Sequence, residues 1–166
     1  MSVVTKINDD KTIYNKSLIT RKIQLDITNI GSNLVDTIKS RVVQLLEGKC
    51  VIEGYIRPGS VQIQHYSSGE LISSKVLFDV VIECDVCCPV EGMEIQCIAR
   101  NITKAGIRAE INDGANQSPV IIFLARDHHT SDKFTNINVD DVINVSVIGT
   151  RYELNDKYVS VIAELV

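Results

Sequence analysis

The sequence predicts an α+β protein in two parts: an antiparallel sheet carrying one main helix, followed by five short strands that close into a barrel. Three observations carry this prediction. Apolar residues recur at helical spacing in one clear segment, residues 33–47. Alternating or continuously apolar runs bounded by Gly, Pro, Asn and Ser fill most of the remainder. Finally, Pro89-Val90-Glu91-Gly92 interrupts the pattern, which divides the chain into an N-terminal extension over 1–15, a first domain over 16–88 and a second over 89–166.

In chain order, residues 1–15 are polar, with Asn8, Asp9, Asp10 and Lys11 in succession, and are expected to fray or to lie against a partner. In residues 18–27, Ile19, Ile23, Leu25 and Ile27 largely alternate with polar side chains, the pattern of a half-buried strand. Gly31 and Ser32 end it, and Ser32 is a suitable N-cap. Leu34, Ile38, Val42 and Leu45, with Leu46 adjoining, then mark one face of a helix over 33–47, which Gly48 stops. Strands follow at 50–56, 61–66 and 76–86, separated by Arg57-Pro58-Gly59 and Ser67-Ser68-Gly69. Beyond Gly92, strands are expected at 94–102, 106–112, 120–124, 142–151 and 158–165, with polar connections at 113–116, 127–141 and 155–156. Five strands with one long connection between the third and fourth match an oligonucleotide-binding (OB) barrel; a small β-sandwich fragment is the alternative.

The chain has 166 residues, 45% of them hydrophobic, enough for one ordinary core or two modest ones, and this excludes collagenous and fully disordered classes. A formal net charge of −4 argues against a basic protein that coats nucleic acid, though it leaves room for local patches. Aromatic residues are 5% and Trp is absent, so a binding face must rely on a few Phe and Tyr rings or on Arg. The N-terminus has no signal-peptide pattern, and the longest apolar runs, 76–82 and 120–125, fall far below the roughly 20 residues a membrane helix needs. No membrane partner is expected. Five cysteines, an odd number with Cys87 and Cys88 adjacent, suit a reducing compartment: cytosol, nucleus or virion interior. Charge is segregated. Residues 16–66 carry seven Lys/Arg against four acids, whereas residues 70–94 carry one Lys against six acids, which suggests two faces with different partners.

Chemistry-bearing motifs are sparse. Cys84-Asp85-Val86-Cys87 is half of a zinc site without a second pair, and on a strand its two thiols point to opposite faces, so structural cysteines are expected. His128-His129, beside Arg126 and Asp127, has no recognisable nucleophile setting and is expected on a loop surface. Phosphate-loop, paired-carboxylate and HExxH patterns are missing. The expectation is a non-enzyme with no catalytic residue, metal or cofactor.

Particular strings carry a family resemblance. Leu46-Glu47-Gly48-Lys49-Cys50, preceded by Ile30-Gly31-Ser32-Asn33-Leu34-Val35-Asp36-Thr37-Ile38-Lys39, resembles the helix and next strand of the seventh subunit of eukaryotic RNA polymerase II and of its archaeal counterpart. Val147-Ile148-Gly149-Thr150-Arg151-Tyr152-Glu153-Leu154-Asn155-Asp156-Lys157-Tyr158 resembles the family's last hairpin. Val90-Glu91-Gly92-Met93-Glu94-Ile95 and Thr103-Lys104-Ala105-Gly106-Ile107-Arg108-Ala109-Glu110-Ile111 are similar to the opening strands of its ribosomal S-one-type barrel. The resemblance implies an N-terminal ribonucleoprotein-like tip domain docked on the polymerase core and a C-terminal OB-fold barrel directed towards emerging RNA. In its trimmed length the chain resembles the polymerase subunits of large cytoplasmic DNA viruses.

From this follows the expectation of a non-catalytic stalk subunit of a DNA-directed RNA polymerase. The implied partners are the large core subunits, a fourth-subunit-like companion along the domain junction, and weakly held single-stranded nascent RNA. A companion's absence would leave apolar surface near residues 76–86 in need of another cover. The docking candidates are the turns Arg57, Pro58, Gly59 and His65, Tyr66, Gly69, Glu70. Lys104, Arg108, Arg126, Lys133, Arg151 and Lys157, with Tyr152 and Tyr158, are the candidate RNA footprint, provided that Arg108 and Arg126 project from the second and third barrel strands onto one face. Of the usual stacking aromatics only Phe123 is present on the third strand, so base stacking should be weak. The location implied is the host cytoplasm or virion for a viral protein and the nucleus for a cellular one. The alternative is a free-standing OB-fold RNA-binding protein of translation or RNA decay.

Overall fold

The computed structural model describes residues 13–114, 116–129 and 132–166. Its elements are β1 (Tyr14–Asp26), α1 (Leu34–Leu46), β2 (Cys50–Val51), β3 (Gly54–Ile56), β4 (Gln62–Tyr66), β5 (Glu70–Ile72), β6 (Lys75–Cys87), β7 (Glu94–Ile102), β8 (Gly106–Glu110), β9 (Val120–Ala125), α2 (Asp132–Thr135), β10 (Val142–Arg151) and β11 (Val159–Leu165). They form an α+β fold: a six-stranded antiparallel sheet, then a closed five-stranded barrel.

The sheet is organised around β6. On one side β1 pairs along its whole length, from Tyr14↔Cys87 to Asp26↔Lys75. On the other side β3, β4 and β5 pair in turn. Helix α1 covers one face, and Ile38, Val42 and Leu46, four residues apart, are buried against Ile19, Ile23, Phe78, Val80 and Ile82. The stripe therefore ends on Leu46 instead of Leu45, which is 40% exposed.

Several sequence expectations shift for identifiable reasons. Expectations for residues 1–12 lie outside the described residues; Tyr14 and Asn15, however, are strand, because backbone pairing with Cys87 and Val86 does not need apolar side chains. Residues 50–56 are two strands rather than one, joined at Ile52-Glu53. Gly54 permits the hairpin, since a Cβ there would overlap the Cys87 carbonyl oxygen. Ser67-Ser68-Gly69 is no hairpin end: Ser67 donates its N–H to the Asp79 carbonyl at 2.9 Å and its Oγ accepts from Asp79 N–H at 2.9 Å, so β4 continues into β5 along the same side of β6. The reversal comes at Ser73-Ser74, where Ser73 has φ 57°. β6 is also better covered than expected, with Phe78, Val80, Ile82, Cys84 and Val86 all buried.

In the barrel the order is β7-β8-β9-β11-β10, closing back onto β7, and only β9 and β11 run parallel. Closure through β10, which pairs with both β11 and β7, is the OB arrangement and removes the sandwich alternative. Alternate residues point inward, among them Ile107, Ala109, Val120, Ile122, Leu124, Val145, Val159, Val161 and Ala163. The 127–141 connection is not wholly polar loop, because α2 places Phe134 in the same core.

The two sheets share a junction. Cys50, Tyr55 and Cys87 of the first sheet pack into the barrel core. Cys50 N–H donates to the Asp156 carbonyl at 2.8 Å, Asn155 N–H donates to the Cys50 carbonyl at 2.9 Å, and Tyr152 Oη donates to the Ile52 carbonyl at 2.9 Å. Asp113 accepts from Arg57 Nη2 at 2.9 Å and from Tyr14 Oη at 3.1 Å, and the Arg57 guanidinium lies 4.9 Å from the Tyr14 ring centroid. Burial and the Asp113 carboxylate push the Tyr14 phenol well above its ordinary range, so it remains a donor.

Candidate nucleic-acid interface

Strand alternation decides which barrel residues face solvent. Ile107 and Ala109 point inward, so Arg108 between them points outward; by the same rule Phe123 and Ile162 point outward from β9 and β11. The strand register sets these side by side: Asn101 opposite Arg108, Arg108 opposite Phe123, and Phe123 opposite Ile162. The result is a cross-strand row with one cation beside one aromatic ring, Phe123 being 39% and Ile162 49% exposed. Arg108 Nη2 is 4.0 Å from Glu110 Oε1, which leaves its guanidinium only loosely engaged. Gly106 opens β8 next to this row, and a Cβ there would overlap the Leu124 carbonyl oxygen and press on the Phe123 ring.

Past the end of β9 lies a second cationic group. Arg126 does not project from the third barrel strand as expected; it stands in the 3-10 turn Arg126–His128 that follows β9. Its N–H donates to the Ala105 carbonyl at 3.0 Å and its Nη2 to the Thr103 carbonyl at 3.2 Å, tying the two turns together. Ile102, Thr103, Lys104 and Arg126 line an open depression of about 580 Å³. Lys104 and Arg126 thus share one end of the barrel, with Arg108 two residues into β8 from its Gly106 end. Exposed Lys133 stands on α2, in the connection that follows Arg126.

The rest of the expected footprint is elsewhere. Arg151 and Lys157 flank the β10–β11 hairpin at the junction end, where the Tyr152 hydroxyl is bonded to the first sheet. Exposed Tyr158 also belongs to that hairpin.

Of the docking candidates, Arg57 is engaged at the junction by Asp113 and, at 3.8 Å, by Asp85, with Pro58 and Gly59 beside it. Tyr66 packs edge-on against Phe78 at 6.3 Å. His65 and Glu70 are exposed, and Gly69 has no room for a Cβ against Val76.

Four of the five cysteines are buried and serve packing, whereas Cys88, His65 and His128 are exposed. Cys84 belongs to the sheet core and Cys87 to the barrel core, on opposite faces of β6. Burial pushes the Cys97 thiol up to about 12, Cys87 to about 12 with Cys88 adding to the effect, and Cys50 and Cys84 to about 11, so these thiols are protonated at neutral pH. His129 is no surface group but half-buried, with both ring nitrogens hydrogen-bonded. Among the described residues no three His, Cys, Asp or Glu side chains gather in a metal-binding cluster.

No family model matches the chain. It is similar to a protein of Acanthamoeba polyphaga mimivirus provisionally named a DNA-directed RNA polymerase subunit, 27% identical over 164 residues, covering 87% of this chain and 79% of that one. This supports a relationship to RNA polymerase subunits. A solved structure of an uncharacterized Methanocaldococcus jannaschii protein aligns with 48% of this chain and 95% of its own, at 22% identity and a TM-score of 0.38, too slight a likeness to argue from.

Proposed function

We propose that this chain is a non-catalytic stalk subunit of a DNA-directed RNA polymerase, with residues 16–88 docking on the core enzyme and residues 89–166 contacting nascent RNA. The observation that carries the reading is the similarity to the mimivirus polymerase subunit, which covers too much of the chain to be confined to either the sheet or the barrel. The barrel adds a compact cationic face with one exposed ring, suited to phosphates and to a single stacked base. Binding is weak and salt-dependent in this reading, because the molecule as a whole is acidic.

Docking falls to the far part of the sheet: exposed His65 and Glu70, and the Ser73-Ser74 reversal flanked by exposed Leu71 and Ile72. Arg57, Pro58 and Gly59 would contribute only beside the junction. A fourth-subunit-like companion would lie along that junction, where Ile52 and Leu154 are exposed. The related viral protein favours a location in host cytoplasm or virion.

Affinity purification of the tagged chain from its native or infected cells tests the assignment. Co-isolation of the two largest polymerase subunits is expected. Their absence at low salt would remove it and favour a free-standing RNA-binding protein.

A further inference from the structure

The connection after β9 is fastened by an imidazole where backbone pairing stops. β9 and β11 pair in parallel from Val120↔Val159 to Leu124↔Ala163, after which the chain turns away at Arg126. Beyond that point Leu165 N–H donates to His129 Nε2 at 2.8 Å, while His129 Nδ1 lies 2.7 Å from the Ala125 carbonyl. A backbone N–H can only donate and a carbonyl can only accept. Both bonds are therefore satisfied together by the tautomer that carries its proton on Nδ1. The side chain takes over the ladder and bridges the two strands.

The same ring faces a second task. It stacks on Phe134 with centroids 4.6 Å apart and 15° between planes. The Arg126 guanidinium in turn lies 5.5 Å from the Phe134 centroid. Imidazole, phenyl and guanidinium form a line of contact from the barrel edge to the depression that Lys104 and Arg126 share. Arginine is among the side chains that lose most rotamer freedom when fixed, so a guanidinium already held in place binds an anion more tightly than a free one.

We infer that His129 is a positioning residue for RNA contact: by bridging β9 to β11 it seats Phe134, and through Phe134 it presents the Arg126 guanidinium beside Lys104 to a phosphate of single-stranded RNA. This rests on the RNA-contacting role proposed for the barrel.

The test measures binding of a fluorescent single-stranded RNA oligonucleotide to the full chain at low salt, for the wild type, Arg108→Ala, Arg126→Ala, His129→Ala and the His129→Ala/Arg126→Ala double variant. His129→Ala is expected to weaken binding about fivefold, and to weaken it no further once Arg126 is gone. Independent, multiplying effects of the two substitutions overturn the inference, as does wild-type affinity in His129→Ala while Arg126→Ala binds less. Absence of RNA binding by the wild type, or full affinity in both Arg108→Ala and Arg126→Ala, overturns the RNA role itself and the inference with it. Should His129→Ala fail to fold, His129→Leu takes its place in the same cycle with the same criteria, since it fills much of the same space but can make neither hydrogen bond. Nitrogen NMR of the wild-type ring must also find the proton on Nδ1; a proton on Nε2 overturns the bridge.

Discussion

The sheet and the barrel bury the same kind of aliphatic side chain but finish their margins in opposite ways. Every barrel strand is paired with two neighbours, so its outer row of Asn101, Arg108, Phe123 and Ile162 is held in fixed register. Among the described residues the sheet pairs β1 on one side only, leaving a thirteen-residue strand with an open margin, and its far end exposes Ile27, Leu71 and Ile72. An open strand margin and exposed apolar residues favour association with another protein surface. The closed element instead favours a rigid polar display. This contrast fits a division in which one half meets protein and the other meets RNA.

The sharpest way to break the contrast is to weaken each core separately. Ile122→Ala in the barrel and Ile38→Ala beneath α1, both fully buried, should each cost about 3 kcal/mol in urea unfolding. Because Cys50, Tyr55 and Cys87 pack into the barrel core, each variant is expected to move one shared transition. Two separated transitions would show that sheet and barrel fold independently.

A smaller effect is expected at the junction. Arg57→Ala removes the cation beside Asp113, whose side chain is 10% exposed, and should cost about 1 to 2 kcal/mol. An unchanged urea midpoint would mean that the backbone bonds of Cys50 with Asn155 and Asp156 hold the junction unaided.

The smallest effect belongs to Glu53. Its carboxyl is held below the ordinary range chiefly by the hydrogen bond from Arg21. A carboxylate lowered in the folded state adds stability above its unfolded value, and that stability disappears as pH falls through the folded one. Both partners are partly exposed, so the gain should stay below about 1 kcal/mol. Glu53→Gln should therefore be slightly less stable than wild type at neutral pH and converge with it below about pH 4.3. A constant difference across the acid range would assign the effect to packing.

Where side-chain period sets structure, the sequence was a good guide. Strands β7 and β10 fall where alternation puts them, and α1 differs by one residue at each end. What it hid depends on backbone groups far apart in the chain. Tyr14 and Asn15 are strand because Cys87 and Val86 lie opposite, which nothing in their polarity announces. β5, only three exposed residues, has no period to detect. At the candidate interface, Arg108 was legible as a cation of the second barrel strand and Phe123 as the ring of the third, but the register that sets them side by side was not. Arg126 was not, because the strand ends one residue before it, and His129 looked like loop surface because its partners are the carbonyl of Ala125 and the N–H of Leu165. Gly54 was an available clue to the hairpin within residues 50–56, since a glycine inside a strand pattern often marks a close backbone approach.

β1 and β6 run beside each other for thirteen residues, a ribbon of about 43 Å from the barrel wall to the Ser73-Ser74 reversal. Such a ribbon acts as a lever arm. A tilt of a few degrees where Cys87 enters the barrel becomes a sweep of several ångströms at Lys75, so a small tug on the cylinder is amplified into a large displacement at the opposite extremity.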